Sequence, residues 1–530
     1  MRTPATRFED LVVRPKARHI VIWFALFFSI LPVAGRDFHF FEPLQPPRPF
    51  QMMVHRGLMR TAPENTRPAL ERCIEDGIEW VEVDIRRTRD GKHILAHNDV
   101  IVAADGKQWK IVQSNYSDLQ TLDLGSAFAP RYRNERLLTI EECFQLAKNR
   151  INLYLDCKDA DPEQLAAEVL AHQMEAQVVL YQDPEWLGRL HQAAHGRIAG
   201  MTKWRPGTDP AQWAAKYGFA AVEIDAPDLT KMVVQAFHQA GVKVQTKNLG
   251  EWDQPQWWDQ VIDAGADWMQ TDLPEELYAH ALWRRIASRP CQFSLHRGAG
   301  RYAPENTLPA LEKALRLQAD FVEIDVRTSR DGQFYLLHDS RLDRTTNGRG
   351  LIAETTAEVL SRLDAGAWFG RPFVGTTLPS FEGFLSHLGP TARIYLDAKE
   401  ISAKALVAAL ERHGAVEKTV VYGSPDYLIQ LKDLQPNLRR MPALRSEQDI
   451  TSLVERVRPF ALDAAWEILS KPLIDRCHAA GVKVFSDSLG RHERIPDYLQ
   501  AMEWGIDLIQ TDHPLRLFRA MELWAHGKTP

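Results

Sequence analysis

The chain is written twice. His55-Arg56-Gly57 returns as His296-Arg297-Gly298, and Pro63-Glu64-Asn65-Thr66 as Pro304-Glu305-Asn306-Thr307. Glu82-Val83-Asp84 returns as Glu323-Ile324-Asp325, and Leu155-Asp156-Cys157-Lys158 as Leu396-Asp397-Ala398-Lys399, each pair 241 residues apart. Gln270-Thr271-Asp272 and Gln510-Thr511-Asp512 are 240 apart, so one residue has been lost late in the second copy. Such a repeat, about 235 residues long, is far beyond a solenoid unit and close to the roughly 250 of one closed (β/α)8 barrel.

Within each copy, short apolar runs (Trp80–Ile85, His93–Ala96, Ile151–Leu155, Val242–Val244) alternate with helical segments (Pro68–Asp76, Pro162–His172). Strand–helix alternation implies a parallel sheet with helices outside it. The expected fold class is therefore α/β, two tandem TIM-type (β/α)8 barrels, copy 1 over residues 51–285 and copy 2 over 291–525. An open doubly wound sheet is the alternative, and no Gly-rich G-x-G-x-x-G loop supports it. Only Ala281–Pro290 separates the copies, which predicts barrels that touch.

Composition limits the function classes. Of 530 residues, 45% are hydrophobic and 25% charged, a globular balance; 64 basic against 70 acidic residues give −6. No basic face is implied, so nucleic acid is not expected as a partner. Five cysteines form neither a disulfide framework nor a zinc motif. Cys73, Cys143 and Cys477 lie in helix-like apolar stretches and read as small buried hydrophobes.

Residues 1–35 are a different kind of sequence. Arg2, Arg7, Arg14, Lys16 and Arg18 precede an apolar run from Ile20 to Leu31, followed by Pro32-Val33-Ala34-Gly35. This reads as a secretory signal peptide, since the run is short of the ~20 residues that span a bilayer. The protein is expected to be exported, periplasmic or secreted. The alternative is membrane association through residues 20–34 as an uncleaved anchor facing outside the cytoplasm. Residues 36–50, with Pro43, Pro46, Pro47 and Pro49, read as an extended linker.

Barrel chemistry gathers at the C-terminal ends of strands. In Phe321-Val-Glu-Ile-Asp-Val326, alternation puts Glu323 and Asp325 on one face, and Val322, Ile324 and Val326 on the other, toward the helices. Asp397 and Lys399 repeat the pattern on a second strand. Three converging carboxylates without Cys or clustered His suit a hard cation, Ca²⁺ or Mg²⁺. Salt bridging at the barrel mouth is the plainer account of one Glu-x-Asp, and it weakens when two strands in both copies agree. His296 and His338 end apolar runs, next to Arg297 and the carboxylates, and suit a general acid and base. Arg297 and Lys399 suit phosphate, which the carboxylates alone would repel. Thr307 is placed to cap the following helix, with Pro309 in its first turn. Glu305 suits an orienting role toward His296 or Arg297, with a purely structural role equally open.

The succession His-Arg-Gly, Pro-Glu-Asn-Thr, Glu-x-Asp, His338-Asp339, Arg344-Thr345-Thr346-Asn347-Gly348 and Gln510-Thr511-Asp512-His513-Pro514 resembles the glycerophosphodiester phosphodiesterase family. The resemblance covers about residues 52–277 and 293–517. It implies a TIM barrel that hydrolyses glycerophosphodiesters to glycerol 3-phosphate and an alcohol with Ca²⁺ or Mg²⁺. It also implies Glu323, Asp325 and Asp397 as metal ligands, His296 and His338 as the acid/base pair, and Arg297 and Lys399 on the phosphate. In copy 1 the same roles fall to Glu82, Asp84 and Asp156, to His55 and His97, and to Arg56 and Lys158, with Glu64 matching Glu305. In relatives the glycerol hydroxyl can attack first, giving a cyclic phosphate that water opens.

Three departures stand out. The third ligand, usually Glu, is Asp156 or Asp397, one methylene shorter. The family's Trp-Thr-x-Asn reads Gln245-Thr246-Lys247-Asn248 in copy 1 and Phe485-Ser486-Asp487-Ser488 in copy 2. Finally, the copies differ: His338-Asp339 and Arg344–Gly348 become His97-Asn98 and Ala103-Ala104-Asp105-Gly106-Lys107. Copy 2 is expected to be catalytic, and copy 1 to act with another substrate preference or serve as a scaffold. Related activity on a lysophospholipid or glycerol-phosphate polymer, or binding without turnover, are the alternatives. Oligomeric state is left open.

Overall fold

The computed structural model describes residues 38–389 and 391–527. The expected signal peptide or anchor, residues 1–35, lies outside them. Among the described residues no helix is long and apolar enough to cross a membrane.

Copy 1 contributes strands β1 (Gln51–Val54), β2 (Trp80–Arg87), β3 (His93–Leu95), β4 (Val100–Val102), β5 (Gln108–Lys110) and β6 (Asn152–Cys157). They continue as β7 (Val178–Tyr181), β8 (Ala199–Lys203), β9 (Ala221–Asp225), β10 (Lys243–Lys247) and β11 (Trp268–Thr271). Eight of these are parallel neighbours in the order β1-β2-β6-β7-β8-β9-β10-β11, and β11 pairs back onto β1, so the barrel is closed. The run at His93 is a strand but not a barrel stave: β3 pairs antiparallel with the outer end of β2. β4 and β5 form a separate hairpin.

Copy 2 contributes β12 (Gln292–Leu295), β13 (Phe321–Thr328), β14 (Phe334–Leu336), β15 (Ile394–Asp397) and β16 (Thr419–Tyr422). It goes on through β17 (Arg439–Met441), β18 (Ala443–Leu444), β19 (Ala461–Ala464), β20 (Lys483–Asp487) and β21 (Leu508–Thr511). Its fifth stave is split, with β17 on β16 and β18 on β19. Pro442 stands at the break and has no N–H for a ladder bond. Backbone bonds from Phe460 N to Arg440 O (2.8 Å) and Asp463 N to Pro442 O (3.0 Å) still tie the two edges together. Both copies are therefore TIM-type barrels of parallel strands.

Alternation does what the sequence predicts. Val322, Ile324 and Val326 are buried against the helical layer, while Glu323 and Asp325 point into the barrel mouth. The bottom of barrel 1 is filled by Met53, Trp80, Tyr154 and Trp268, that of barrel 2 by Phe321, Tyr395 and Phe485. The Pro-rich stretch of the expected linker has neither helix nor strand over 38–50, but it is packed rather than free. Phe40 stacks edge-on against Trp80 (5.3 Å) and Trp268 (5.1 Å), closing the barrel floor. Arg48 is buried and pairs with Glu79 at 2.6 Å.

The helix Pro274–Arg285 runs almost directly into β12, so the barrels are held in contact. The Tyr278 hydroxyl donates to Glu522 (2.6 Å), Arg285 pairs with Glu522 (2.9 Å), and Trp283 packs edge-on against Phe518 (5.1 Å). All five cysteines are free and buried.

Candidate active site

In copy 2 the carboxylates of Glu323, Asp325 and Asp397 converge, with ligand atoms within 4.8 Å of one another; Glu82, Asp84 and Asp156 do the same in copy 1. Register explains it: Asp325 lies beside Asp397, and Asp84 beside Asp156, on adjacent parallel strands. Burial, then the neighbouring Asp325 and Asp397, raise the Glu323 carboxyl well above its ordinary range, and Glu82 is raised likewise beside Asp84 and Asp156. Two buried acids and a half-buried third that suppress one another's ionisation are what a divalent cation would relieve, so the residues fit the expected metal.

Asn306 holds the centre of this cluster. Its side chain donates to Asp325 Oδ2 (2.8 Å) and accepts from the Asp325 backbone N–H (3.1 Å); Asn65 does the same for Asp84. Asn306 and Arg297 both sit at positive φ (56° and 54°), as do Asn65 and Arg56. Such backbone is uncommon outside glycine and marks a loop over-determined by its surroundings. The following Gly298 is required: a Cβ there would lie 2.6 Å from Ala310 Cβ, as one at Gly57 would lie 2.7 Å from Ala69 Cβ. Thr307 caps its helix by accepting from Ala310 N, as expected; Thr66 makes no such bond.

The basic residues are not idle at the mouth. Lys399 bridges Asp397 (2.5 Å) and Asp325 (3.4 Å), and Lys158 bridges Asp156 (2.5 Å) and Asp84 (3.1 Å). Arg297 pairs with Glu305 at 2.9 Å and Arg56 with Glu64 at 3.0 Å. Of the two partners considered for Glu305, the structure places it on the arginine and not on His296.

Each predicted histidine is held by a carboxylate or amide at Nδ1. His296 meets Asp512 (3.0 Å) and His55 meets Asp272 (2.9 Å), residues of the Gln-Thr-Asp repeat to which the sequence assigned no role. His338 meets Asp339 at 2.8 Å, whereas His97 has only the Asn98 side-chain oxygen at 3.0 Å. His338 and His97 come just beyond the antiparallel strands β14 and β3, not from barrel staves.

In copy 2 these contacts link up. Asp339 accepts from Arg344 (2.7 Å), Arg344 pairs with Glu305 (2.7 Å), and Glu305 pairs with Arg297. Burial would raise the Glu305 carboxyl, but Arg344 and Arg297 outweigh it and hold it low; the Arg344 hydrogen bond holds Asp339 far below the carboxylate range. One chain of charge-assisted bonds thus connects His338 to the Arg297 guanidinium. Ala103 stands where Arg344 would be, so in copy 1 the chain stops at Glu64.

The opposite wall was missed by sequence reasoning, except as a broken motif. Copy 1 lines a cavity of about 70 Å³ with the metal-type carboxylates, His55, His97, Tyr154, Glu223 and Lys247. Lys247 makes no ion pair among the described residues, while Lys203 bonds Asp225 at 2.6 Å. In copy 2 the equivalent of Lys247 is Asp487, whose buried Oδ1 has no hydrogen-bond partner, beside Asp463. Burial raises Asp463 to about 6 and Asp487 well above its ordinary range.

Fold and site together define a class: a duplicated parallel barrel with a carboxylate cluster that could hold a cation, two histidines and an Arg/Lys pair at each C-terminal mouth. Comparison with known sequences makes this specific. Residues 55–276 and 296–516 each match the Glycerophosphoryl diester phosphodiesterase family, and the chain belongs to that family, as a phosphoric diester hydrolase duplicated in tandem. A glycerophosphodiester phosphodiesterase of Bacillus subtilis (strain 168) is 28% identical over 244 residues, covering 41% of this chain and 82% of the relative. One from Caldanaerobacter subterraneus subsp. tengcongensis is 29% identical over 235 residues, covering 41% of this chain and 93% of the relative. Among solved structures, an Oleispira antarctica phosphodiesterase in complex with the product sn-glycerol-3-phosphate is 25% identical, with TM-score 0.41, covering 46% of this chain and 99% of that one.

Proposed function

We propose that the protein hydrolyses glycerophosphodiesters to glycerol 3-phosphate and an alcohol with the help of a divalent cation, and that copy 2 is the main catalytic barrel. The observation that carries this is the converging triad Glu323, Asp325 and Asp397 beside His296, His338 and Arg297. The triad would hold Ca²⁺ or Mg²⁺, which supplies charge neutralisation and polarisation of the phosphoryl oxygens when bound. Arg297 and Lys399 add positive charge for the phosphate, and Asn306 fixes the carboxylate they share.

His296 and His338 each turn Nδ1 to a carboxylate, which leaves Nε2 for the substrate and stabilises the imidazolium once formed. One Nε2 takes the proton of the attacking hydroxyl, from water or the substrate's glycerol, while the other delivers a proton to the departing alcohol oxygen. On copy 1 the same residues are present without the Asp339–Arg344 link, and its Lys247-bearing wall supports a different substrate preference. The composition of residues 1–35 supports export; sequencing the N-terminus of the protein recovered from its producing cells checks it, and an intact Met1 in the cytosolic fraction would overturn it.

The test is release of glycerol 3-phosphate from glycerophosphocholine by the full chain, with and without Ca²⁺ or Mg²⁺. His296→Ala and His338→Ala should each cut the rate by about 10²- to 10⁴-fold, and His55→Ala far less. Normal turnover in either copy 2 variant would sink the assignment, and tight diester binding with no product would favour a binding protein.

A further inference from the structure

The two barrels meet much as the subunits of a symmetric dimer do, and the meeting is asymmetric where it matters. In a two-fold interface residue i of one unit contacts residue j of the other and the reverse holds too. Arg72, on the copy 1 helix Arg67–Glu75, donates to the backbone oxygen of Arg301 in copy 2 (3.1 Å). Its counterpart Lys313, on the copy 2 helix Leu308–Arg316, reaches across to copy 1. Lys313 is neutralised there by Glu275 (2.6 Å) and Glu276. The equivalents of those two acids in copy 2 are Leu515 and Arg516, and among the described residues Arg72 has no carboxylate within ion-pair distance.

Arg72 therefore leans over the mouth of copy 2 with its charge uncompensated. It lines a pocket of about 250 Å³ with His296, Arg297, Arg301 and His513. The carboxylates that border this pocket are already engaged, Asp512 with His296 and Glu305 with Arg297 and Arg344. Arg301, only 10% exposed, is oriented by Asp76 of copy 1 (2.7 Å), yet its Nε–H is buried with no acceptor. His513 Nδ1 is also buried without a partner, 3.6 Å from Asp76. Arg301 is also paired with Glu75 (3.0 Å), and His513 lies 3.8 Å from Glu493, so among the described residues the cation of this pocket left without a carboxylate is Arg72. In copy 1 the place of His513 is taken by Leu273, so this arrangement exists at one mouth only.

We propose that the inter-barrel pocket is a second anion subsite of copy 2, holding a phosphate carried on the alcohol part of the diester, with Arg72 of copy 1 as a specificity residue. This rests on the hydrolytic reading of the copy 2 site. His296 and Arg297 both line the pocket, so it borders the residues proposed to act on the diester. The substrate class is a glycerophosphodiester bearing a further phosphate, as in a short glycerol-phosphate oligomer. Copy 1 then has a role in copy 2's reaction whatever its own activity.

The experiment compares kcat/KM of the full chain for glycerophosphoglycerol and for the same diester phosphorylated on its distal hydroxyl. The wild type should favour the phosphorylated substrate. Arg72→Glu should reduce that preference about 10- to 100-fold through KM, the scale of one charge-assisted hydrogen bond, and Arg72→Lys should keep most of it. Hydrolysis of the unphosphorylated diester should not change. An unaltered preference in Arg72→Glu, or an equal loss on both substrates, would overturn the proposal. No hydrolysis of either substrate by the wild type would instead break the hydrolytic reading. Titration with inorganic phosphate in chelator, where the carboxylate triad repels anions, reads the pocket directly: binding lost in Arg72→Glu supports the subsite, and binding retained ends it.

Discussion

The two barrels share a carboxylate triad, a lysine bridging it, an asparagine holding it and two histidines, and they differ in what surrounds these. Copy 2 has a continuous chain from His338 through Asp339, Arg344 and Glu305 to Arg297. In copy 1 the chain ends at Glu64, because Ala103 has no guanidinium to offer. The wall opposite the triad is inverted in charge, Lys247 against Asp487. A carboxylate cluster that could hold a cation is thus kept twice, while the residues around the second histidine and the wall opposite the cluster have diverged.

The largest effect expected from breaking the comparison is at the triad. Glu323→Ala should abolish glycerol 3-phosphate release by copy 2 and, with it, the metal-dependent rise in thermal stability attributable to copy 2, about 2.7 kcal/mol at a hundredfold excess over Kd. Calorimetry with and without Ca²⁺ checks both, and normal turnover would refute the ligand assignment. Asp397→Glu, which only lengthens the arm, should be tolerated; complete loss of metal binding there would show a site built around the shorter side chain.

The Arg344 link comes next. Arg344→Ala should lower the copy 2 rate about tenfold, since it removes charge-assisted bonds to both Asp339 and Glu305. The converse, Asn98→Asp with Ala103→Arg in a His296→Ala background, should raise the residual copy 1 rate. If it does not, the difference between the barrels lies elsewhere. A smaller effect, a few-fold change in selectivity, is expected from exchanging the walls. Lys247→Asp and Asp487→Lys should shift each barrel's preference between diesters with cationic and anionic alcohols in opposite directions. Steady-state competition between glycerophosphocholine and an acidic diester reads this.

The smallest effect concerns pH. Glu82 and Glu323 have raised carboxyls, so without metal the folded chain binds protons that the unfolded chain releases. Their contribution to stability is full below the ordinary value of 4.5 and is lost as pH rises through the raised folded values. In chelator, thermal stability should therefore fall as pH rises above that range, and Glu82→Gln with Glu323→Gln should flatten the slope. Added Ca²⁺ should flatten it too, because the cation replaces the protons. An identical slope in all three conditions would mean that the carboxylates are not strained.

Much of the site was legible along the chain. Repetition at a fixed interval picked out His, Arg, Glu, Asp and Lys positions that do converge, because parallel staves bring the same strand end to the same mouth. Strand alternation correctly sent Glu323 and Asp325 inward. The His93 run shows where local pattern stops: three apolar residues look the same whether they form a barrel stave or an antiparallel flap on β2. Asp512 and Asp272 were visible only as part of a repeated Gln-Thr-Asp, with nothing to say that they would face a histidine more than 200 residues away. The Pro-rich stretch looked like a spacer, and only the barrel floor reveals Phe40 as its plug.

The sequence by itself determined the duplication, the barrel class and the chemical identity of the groups at each mouth, since these follow from periodicities of two, of strand plus helix, and of 241 residues. The tertiary structure alone decided which charges are compensated. Lys313 meets two glutamates and Arg72 meets none, although the two stand at the same place in their repeats. Coulomb interaction depends on distance through space and on burial, not on position in a repeat, so the pairing that separates the barrels appears only once they are packed together.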